Sequence, residues 1–174
     1  MRIANVTIAL LVFSAAARAD EVVEIDGMKS KAPDSWKKGT AATAMQHAVF
    51  TLPKIEGDPE DALLTIYFFG PGGGGGVEAN LTRWKGMFKA PAGEKAKVDK
   101  FKVSDVDVTT IDLSGTYLFK ARPMDATAVE KPDFRMISAI FASKNGPYFM
   151  RFVGPAKTVD KHKAEFDDWL KNFK

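Results

Sequence analysis

Three stretches of this chain are apolar in both alternation phases of a β-strand. In Ala62-Leu63-Leu64-Thr65-Ile66-Tyr67-Phe68-Phe69, one phase holds Leu64, Ile66 and Phe68 and the other holds Leu63, Tyr67 and Phe69. Phe134 to Ala142 repeats the pattern, and Tyr148 to Val153 largely follows it. A strand of this kind needs apolar cover on both faces. Asn145-Gly146, between the last two stretches, is the dipeptide of a two-residue type I′ hairpin turn, so these strands are expected to be central and antiparallel.

Two amphipathic segments supply the cover. Val77, Leu81, Trp84 and Phe88 recur at spacings of four, three and four, while Arg83, Lys85 and Lys89 lie off that stripe and Pro91 marks its end. A second helix begins at Pro155, a good first-turn residue, and puts Val159, Phe166, Trp169, Leu170 and Phe173 on one face. Two helices can cover a doubly apolar sheet only if the sheet lies between them. The expected fold is therefore α+β, an α/β/α sandwich with a mostly antiparallel sheet between two helices.

Shorter signals complete the sheet. Thr43 to Leu52 reads as a strand stopped by Pro53, and Val98–Val103 with Val106–Leu113 reads as a hairpin around Ser104-Asp105. Val22-Val23-Glu24-Ile25 and Ala32-Pro33-Asp34-Ser35-Trp36 form an extended piece broken by Pro33, with Trp36 expected to pack onto the sheet.

The beginning of the chain reads as an address. Met1 and Arg2 lead into an apolar run from Ile3 to Ala17 that closes with Ala17-Arg18-Ala19, the pattern of an export signal over residues 1–19. The run is shorter than the roughly 20 residues that span a bilayer core. Ala17 and Ala19 suit the signal peptidase cleft, so the mature chain is expected to begin near Asp20, to form one domain over 20–174, and to keep no stable membrane span. Its expected location is periplasmic or extracellular.

Processing also alters the charge. Arg2 and Arg18 leave with the leader, so the 25 basic residues fall to 23 against 22 acidic ones, a net charge near +1. The pI of 9.0 for the full sequence thus overstates how basic the working protein is, and a nucleic-acid partner is not expected. The chain has no cysteine, which removes a disulfide framework, a thiolate zinc site, a cysteine nucleophile and a lipidated cysteine.

Four segments carry a resemblance: Ala32-Pro33-Asp34-Ser35-Trp36, Phe69-Gly70-Pro71-Gly72 running into Asn80 and Arg83-Trp84, Ser114-Gly115-Thr116-Tyr117, and Gly146-Pro147-Tyr148-Phe149. With them the chain resembles a family of uncharacterised exported bacterial proteins of PsbP-like fold, a fold that also includes a Ran-binding nuclear protein. Met87 departs from the glutamine of that family. The resemblance implies a binding or assembly module and carries no catalytic residues.

The candidate site residues are weak as chemistry. Gly72, Gly73, Gly74, Gly75 and Gly76 follow a strand and precede a helix, the setting of a phosphate cradle, but no Lys-Ser/Thr follows and Glu78 occupies the first turn. His47 and His162, the only imidazoles, have no ligand or triad partner at motif spacing. Asp105 with Asp107, and Glu56, Asp58, Glu60 and Asp61, lack the twelve-residue calcium loop and read as solvated turns. No metal and no cofactor is expected. Arg83, Lys85, Lys89, Lys95, Lys97, Lys100 and Lys102 form a basic segment whose strand parity splits it between two faces. A polar loop from Lys120 to Asp133, with Arg122 and Met124, is the expected contact surface, framed together with the glycine loop and Arg83. The function expected from these residues is an exported, non-catalytic binding or assembly module whose partner is an envelope protein or a small ligand. An envelope enzyme is the alternative.

Overall fold

A computed structural model describes residues 21–89, 96–122 and 125–174. Within them the chain runs β1 (Val22–Ile25), β2 (Met28–Lys31), β3 (Lys37–Lys38), β4 (Gln46–Leu52), β5 (Ala62–Phe68), α1 (Val77–Lys85), β6 (Phe88–Lys89), β7 (Lys97–Val103), β8 (Val106–Phe119), β9 (Val129–Phe141), β10 (Tyr148–Pro155) and α2 (Ala156–Lys171). β1 and β2 form a separate hairpin. The other strands make an eight-stranded sheet in the order β3-β4-β5-β10-β9-β8, with β7 and β6 both on the outer side of β8. Every pairing is antiparallel.

The sheet separates two cores, as the doubly apolar strands require. On one side Phe50, Leu64, Ile66, Phe141 and Phe152 pack with Val159, Phe166, Trp169 and Phe173. On the other, Ile111, Leu113, Met136 and Ile140 pack with Leu81, Trp84 and Phe88. Each fully buried aromatic contributes roughly 1.5–3 kcal/mol by area. Trp36 joins the first core, its ring 5.7 Å from Phe50 and 5.3 Å from Trp169. The expected α/β/α sandwich is present. No helix among the described residues is long and apolar enough to cross a membrane.

Both helices depend on groups outside themselves. α2 has no side-chain cap at Pro155. Instead Asp58 accepts the backbone N–H of Thr158 at 3.0 Å and its hydroxyl at 2.6 Å, placing a carboxylate at the positive end of the helix. Asp61 accepts the Lys54 N–H and Glu60 pairs with Lys131, so the acidic loop is a fastening and not a solvated turn. At the far end, Lys29 and Lys174 exchange backbone hydrogen bonds of 2.8 and 3.3 Å, and the Ser30 hydroxyl donates to the Trp169 carbonyl at 2.8 Å.

Several boundaries differ from expectation. α1 stops at Lys85, where Gly86 caps it, and Phe88 reaches the core from β6 opposite Tyr117. The strand expected from Thr43 begins at Gln46. β9 starts at Val129, not after Asp133, so residues 129–133 of the expected loop belong to a strand. Pro132 is tolerated within it because Pro132 and Asp133 (φ 56°) face the single residue Thr116 at a bulge. The β9–β10 connection spans residues 142–147. Asn145 does not take the positive φ of a type I′ turn, because its backbone N–H and side-chain amide are bonded to Asp26. The tight turn with positive φ at both positions lies instead at Asp26-Gly27 (φ 50° and 86°), between β1 and β2.

Candidate functional site

α1 covers only part of its side of the sheet, because its apolar stripe rests against β8 and β9. On the same side, β5 presents Leu63, Thr65, Tyr67 and then Phe69 beyond its end, and β10 presents Phe149, Arg151 and Val153 opposite them. Leu63 stays 40 % and Phe69 42 % exposed, so the expectation that this strand is buried on both faces fails here. Strands β3, β4, β5 and β10 contain no Asp or Glu.

Lys37 lies on this side at the edge strand β3, and the charged residue at the centre of the face is Arg151. Its Nη2 donates to the Tyr67 hydroxyl at 3.0 Å, and its guanidinium carbon stands 5.6 Å from the centre of the Tyr67 ring. Among the described residues no carboxylate forms an ion pair with it. Its Nε is buried without a hydrogen-bond partner, as is the hydroxyl of Ser138, its register neighbour on β9. Tyr67 stacks on Phe69 with ring centres 6.0 Å apart, and Phe69 meets the edge of Phe149 at 5.7 Å. A half-buried guanidinium without a counter-charge, set among aromatic rings, is suited to an incoming carboxylate.

The glycine loop borders this face. A side chain at Gly73 would come within 2.3 Å of the Phe69 carbonyl, and one at Gly74 within 2.3 Å of the Phe149 ring. Asn80, 2 % exposed, turns its amide toward the carbonyls of Gly74 (3.0 Å), Gly75 (3.3 Å) and Gly76 (2.9 Å), and Arg83 reaches the Gly74 carbonyl at 3.4 Å. Carbonyls, not N–H groups, converge at the loop, and protein donors occupy them. This is the anchorage of a helix and not a phosphate cradle.

The predicted recognition edge does not assemble. Phe68, Tyr148 and Phe141 are adjacent in register at the glycine-loop end, whereas Phe119 and Val129 close the other end of the sheet. β9 is 13 residues long, so Gly72–Gly76 and the loop carrying Arg122 lie at opposite ends of strands about 40 Å long, while Arg83 stands between them on α1, whose following residues Met87 and Phe88 meet Leu118 and Tyr117. Arg122 closes its own turn, its N–H bonded to Asp125 at 2.8 Å. Met124, Pro123, Pro91, Lys95, Ala17 and Ala19 lie outside the described residues. In the basic segment Lys97 pairs with Asp99, Lys102 with Asp107 and Lys89 with Glu130.

A second polar cluster sits on the α2 side. One oxygen of Glu165 accepts from the Ser35 hydroxyl at 2.9 Å and from the Trp36 indole N–H at 3.3 Å, and it faces His162 Nδ1 at 3.0 Å. Burial raises the Glu165 carboxyl, and the hydrogen bonds from His162, Ser35 and Trp36 outweigh it, holding the group below the ordinary glutamate range. His162 is 2 % exposed and turns its Nε2 to the Pro53 carbonyl at 3.0 Å. Serine and histidine therefore share a carboxylate and do not touch each other, so the proton relay of a Ser-His pair is not built. His47 faces the Glu24 carbonyl and the Tyr148 ring edge. A shallow cleft of about 310 Å³ beside this cluster is lined by Lys31, Asp34, Glu165 and Asp168. Among the described residues no three acidic or imidazole side chains gather as metal ligands.

Arg151 and Ser138 are absent from the residues the sequence points to, and Asn80 and Tyr67 stand there only as a mark of the resemblance and as an apolar strand position. The signal was one arginine inside an otherwise apolar strand.

No protein-family model matches the chain, and no curated protein matches it. Among solved structures it is similar to cyanobacterial PsbP (CyanoP) from Synechocystis, at 14 % identity and a TM-score of 0.50 over 86 % of each chain. It is also similar to a protein of unknown function from Pseudomonas aeruginosa, at 11 % identity and a TM-score of 0.47 over 87 % of this chain and 94 % of that one. The sheet between two helices and the likeness to cyanobacterial PsbP together identify the fold of this chain as PsbP-like.

Proposed function

We propose that this chain is an exported, non-catalytic binding module that engages its partner through the helix-free half of its sheet. The observation that carries the reading is the face around Arg151, where Leu63 and Phe69 remain exposed beside a guanidinium with no acidic residue on its own or the neighbouring strands β5, β4 and β3. The export part rests on the leader pattern of residues 1–19. A photo-crosslinking residue at position 63 in the producing cells, read by mass spectrometry of the envelope fraction, tests both parts. A discrete crosslinked partner, with the chain beginning near Asp20, is expected. An unprocessed chain would refute export, and crosslinks no different from those at exposed Lys161 on α2 would refute the binding face.

A further inference from the structure

Resting on that reading, we infer that the face binds an extended acidic segment of a partner protein, with carboxylates lying between two apolar side chains. Four adjacent strands, β3, β4, β5 and β10, carry no carboxylate, and of their basic residues Lys37 and Arg151 lie on this face while Lys38, opposite Phe50, and His47, against Tyr148, lie on the α2 side. Lys38 is held by Glu21, while Lys37 lies in the row Lys37-Thr51-Leu63-Val153 on the Arg151 side of the sheet. The acids nearest the rim are committed or set apart: Glu60 to Lys131, Asp61 to the Lys54 backbone N–H, Glu130 to Lys89, and Glu78 in the first turn of α1. An unscreened positive charge on a partly apolar surface favours an anionic partner and disfavours a cationic one.

The spacing gives the shape. Leu63 and Phe69 are six residues apart on one chain, about 20 Å in extended conformation. Between them lie Arg151, opposite Thr65, and Tyr67, over whose ring the guanidinium leans. A segment of about seven residues laid along β5 would place apolar side chains on Leu63 and Phe69. Its two intervening inward positions would face Arg151. Carboxylates there would accept from the guanidinium in place of water, a charge-assisted contact on a partly desolvated surface. The unpartnered Nε of Arg151 and hydroxyl of Ser138 show that the surrounding protein does not already saturate this arginine.

The test uses a symmetric probe that reads alike in both directions, acetyl-Leu-Thr-Glu-Thr-Glu-Thr-Leu-amide, and its counterpart with Gln for Glu. Each is titrated into the ¹⁵N-labelled full-length protein from its own cells and followed by amide NMR shifts. The Glu peptide is expected to move the amides of Tyr67, Phe69 and Arg151, and to bind about tenfold more tightly than the Gln peptide. Arg151→Gln should abolish that preference. Lys37→Gln, at an exposed edge position, should reduce it and serves as the second variant if Arg151→Gln does not fold. Equal binding of the two peptides, shifts confined to other surfaces, or no shift at all would overturn the inference, as would binding to anionic lipid vesicles without response to the peptide. A crosslinked partner at position 63 together with equal peptide binding would leave the binding reading standing and the acidic partner refuted. Loss of both would refute both.

Discussion

Asn80 gives a sharp test of how the glycine loop is held. Its amide, on the first turns of α1 and 2 % exposed, faces three carbonyls at 2.9–3.3 Å but has only two hydrogens to share among them. Two net hydrogen bonds are worth about 2 kcal/mol in all. Asn80→Ala returns about 0.5 kcal/mol through better helix propensity. Gly75 and Gly76 are exposed, so water can reach their freed carbonyls and no full desolvation penalty follows. The expected loss is about 1.5 kcal/mol, which at a urea m-value near 2 kcal/mol per molar shifts the midpoint by roughly 0.8 M. Asn80→Asp keeps the shape, removes the donor and aims a negative charge at the same carbonyls. It should lose about 3 kcal/mol or more even after a favourable contribution from the helix N-terminus. Urea unfolding followed by tryptophan fluorescence measures both. A midpoint shift below about 0.2 M for the alanine variant, or an aspartate variant as stable as the alanine one, would show that these bonds do not fix the loop.

Gly74→Ala should destabilise by about 2–4 kcal/mol, since its φ of 78° is strained for alanine and the new methyl would meet Phe149. Gly75→Ala, with a similar φ of 81° and nothing nearer than 3.8 Å, should lose only the backbone part, about 1 kcal/mol, and the same urea assay separates the two. Ser138→Ala removes a buried hydroxyl without a partner and should leave thermal stability unchanged or raise it by up to about 1 kcal/mol; a loss above about 1 kcal/mol would mean that the hydroxyl is satisfied. Because the Glu165 carboxyl is held below its ordinary value, its contribution is complete above that value and is lost as pH falls through the lowered one. Urea midpoints of Glu165→Gln and the parent should therefore differ at pH 7 and converge as the pH falls below the ordinary glutamate range; a difference that stays constant on acidification would refute the ionic role.

The layered fold was legible because its signals are long and redundant: a strand apolar in both phases and a helix striped over four turns each demand a cover, and together they demand one sheet between two helices. The misread elements are those where one residue serves a distant partner. Asn145 and Gly146 form a strong local turn signal, yet Asn145 is drawn to Asp26, more than a hundred residues away. Lys131-Pro132 reads as a loop until the bulge at Thr116 gives the proline a place in a strand. The face around Arg151 is dispersed in the same way. Its acid-free character is a property of four strands, and it means something only once register has put them side by side. Strand pairing also decides that the glycine loop and Arg122 stand at opposite ends of the sheet, which no local pattern reports.

The mutual backbone bonds of Lys29 and Lys174, with the Ser30 to Trp169 contact across 139 residues, bear on the order of assembly. β1 and β2 emerge early from a ribosome or a translocation channel, but the surface on which Val23 and Ile25 are buried includes α2. A hairpin of two four-residue strands has little stability alone. Its burial therefore depends on α2, which follows it by more than a hundred residues. Closure of the hairpin onto α2 is a long-range event, and a chain halted before α2 would leave the β1–β2 segment available to whatever factor meets it first.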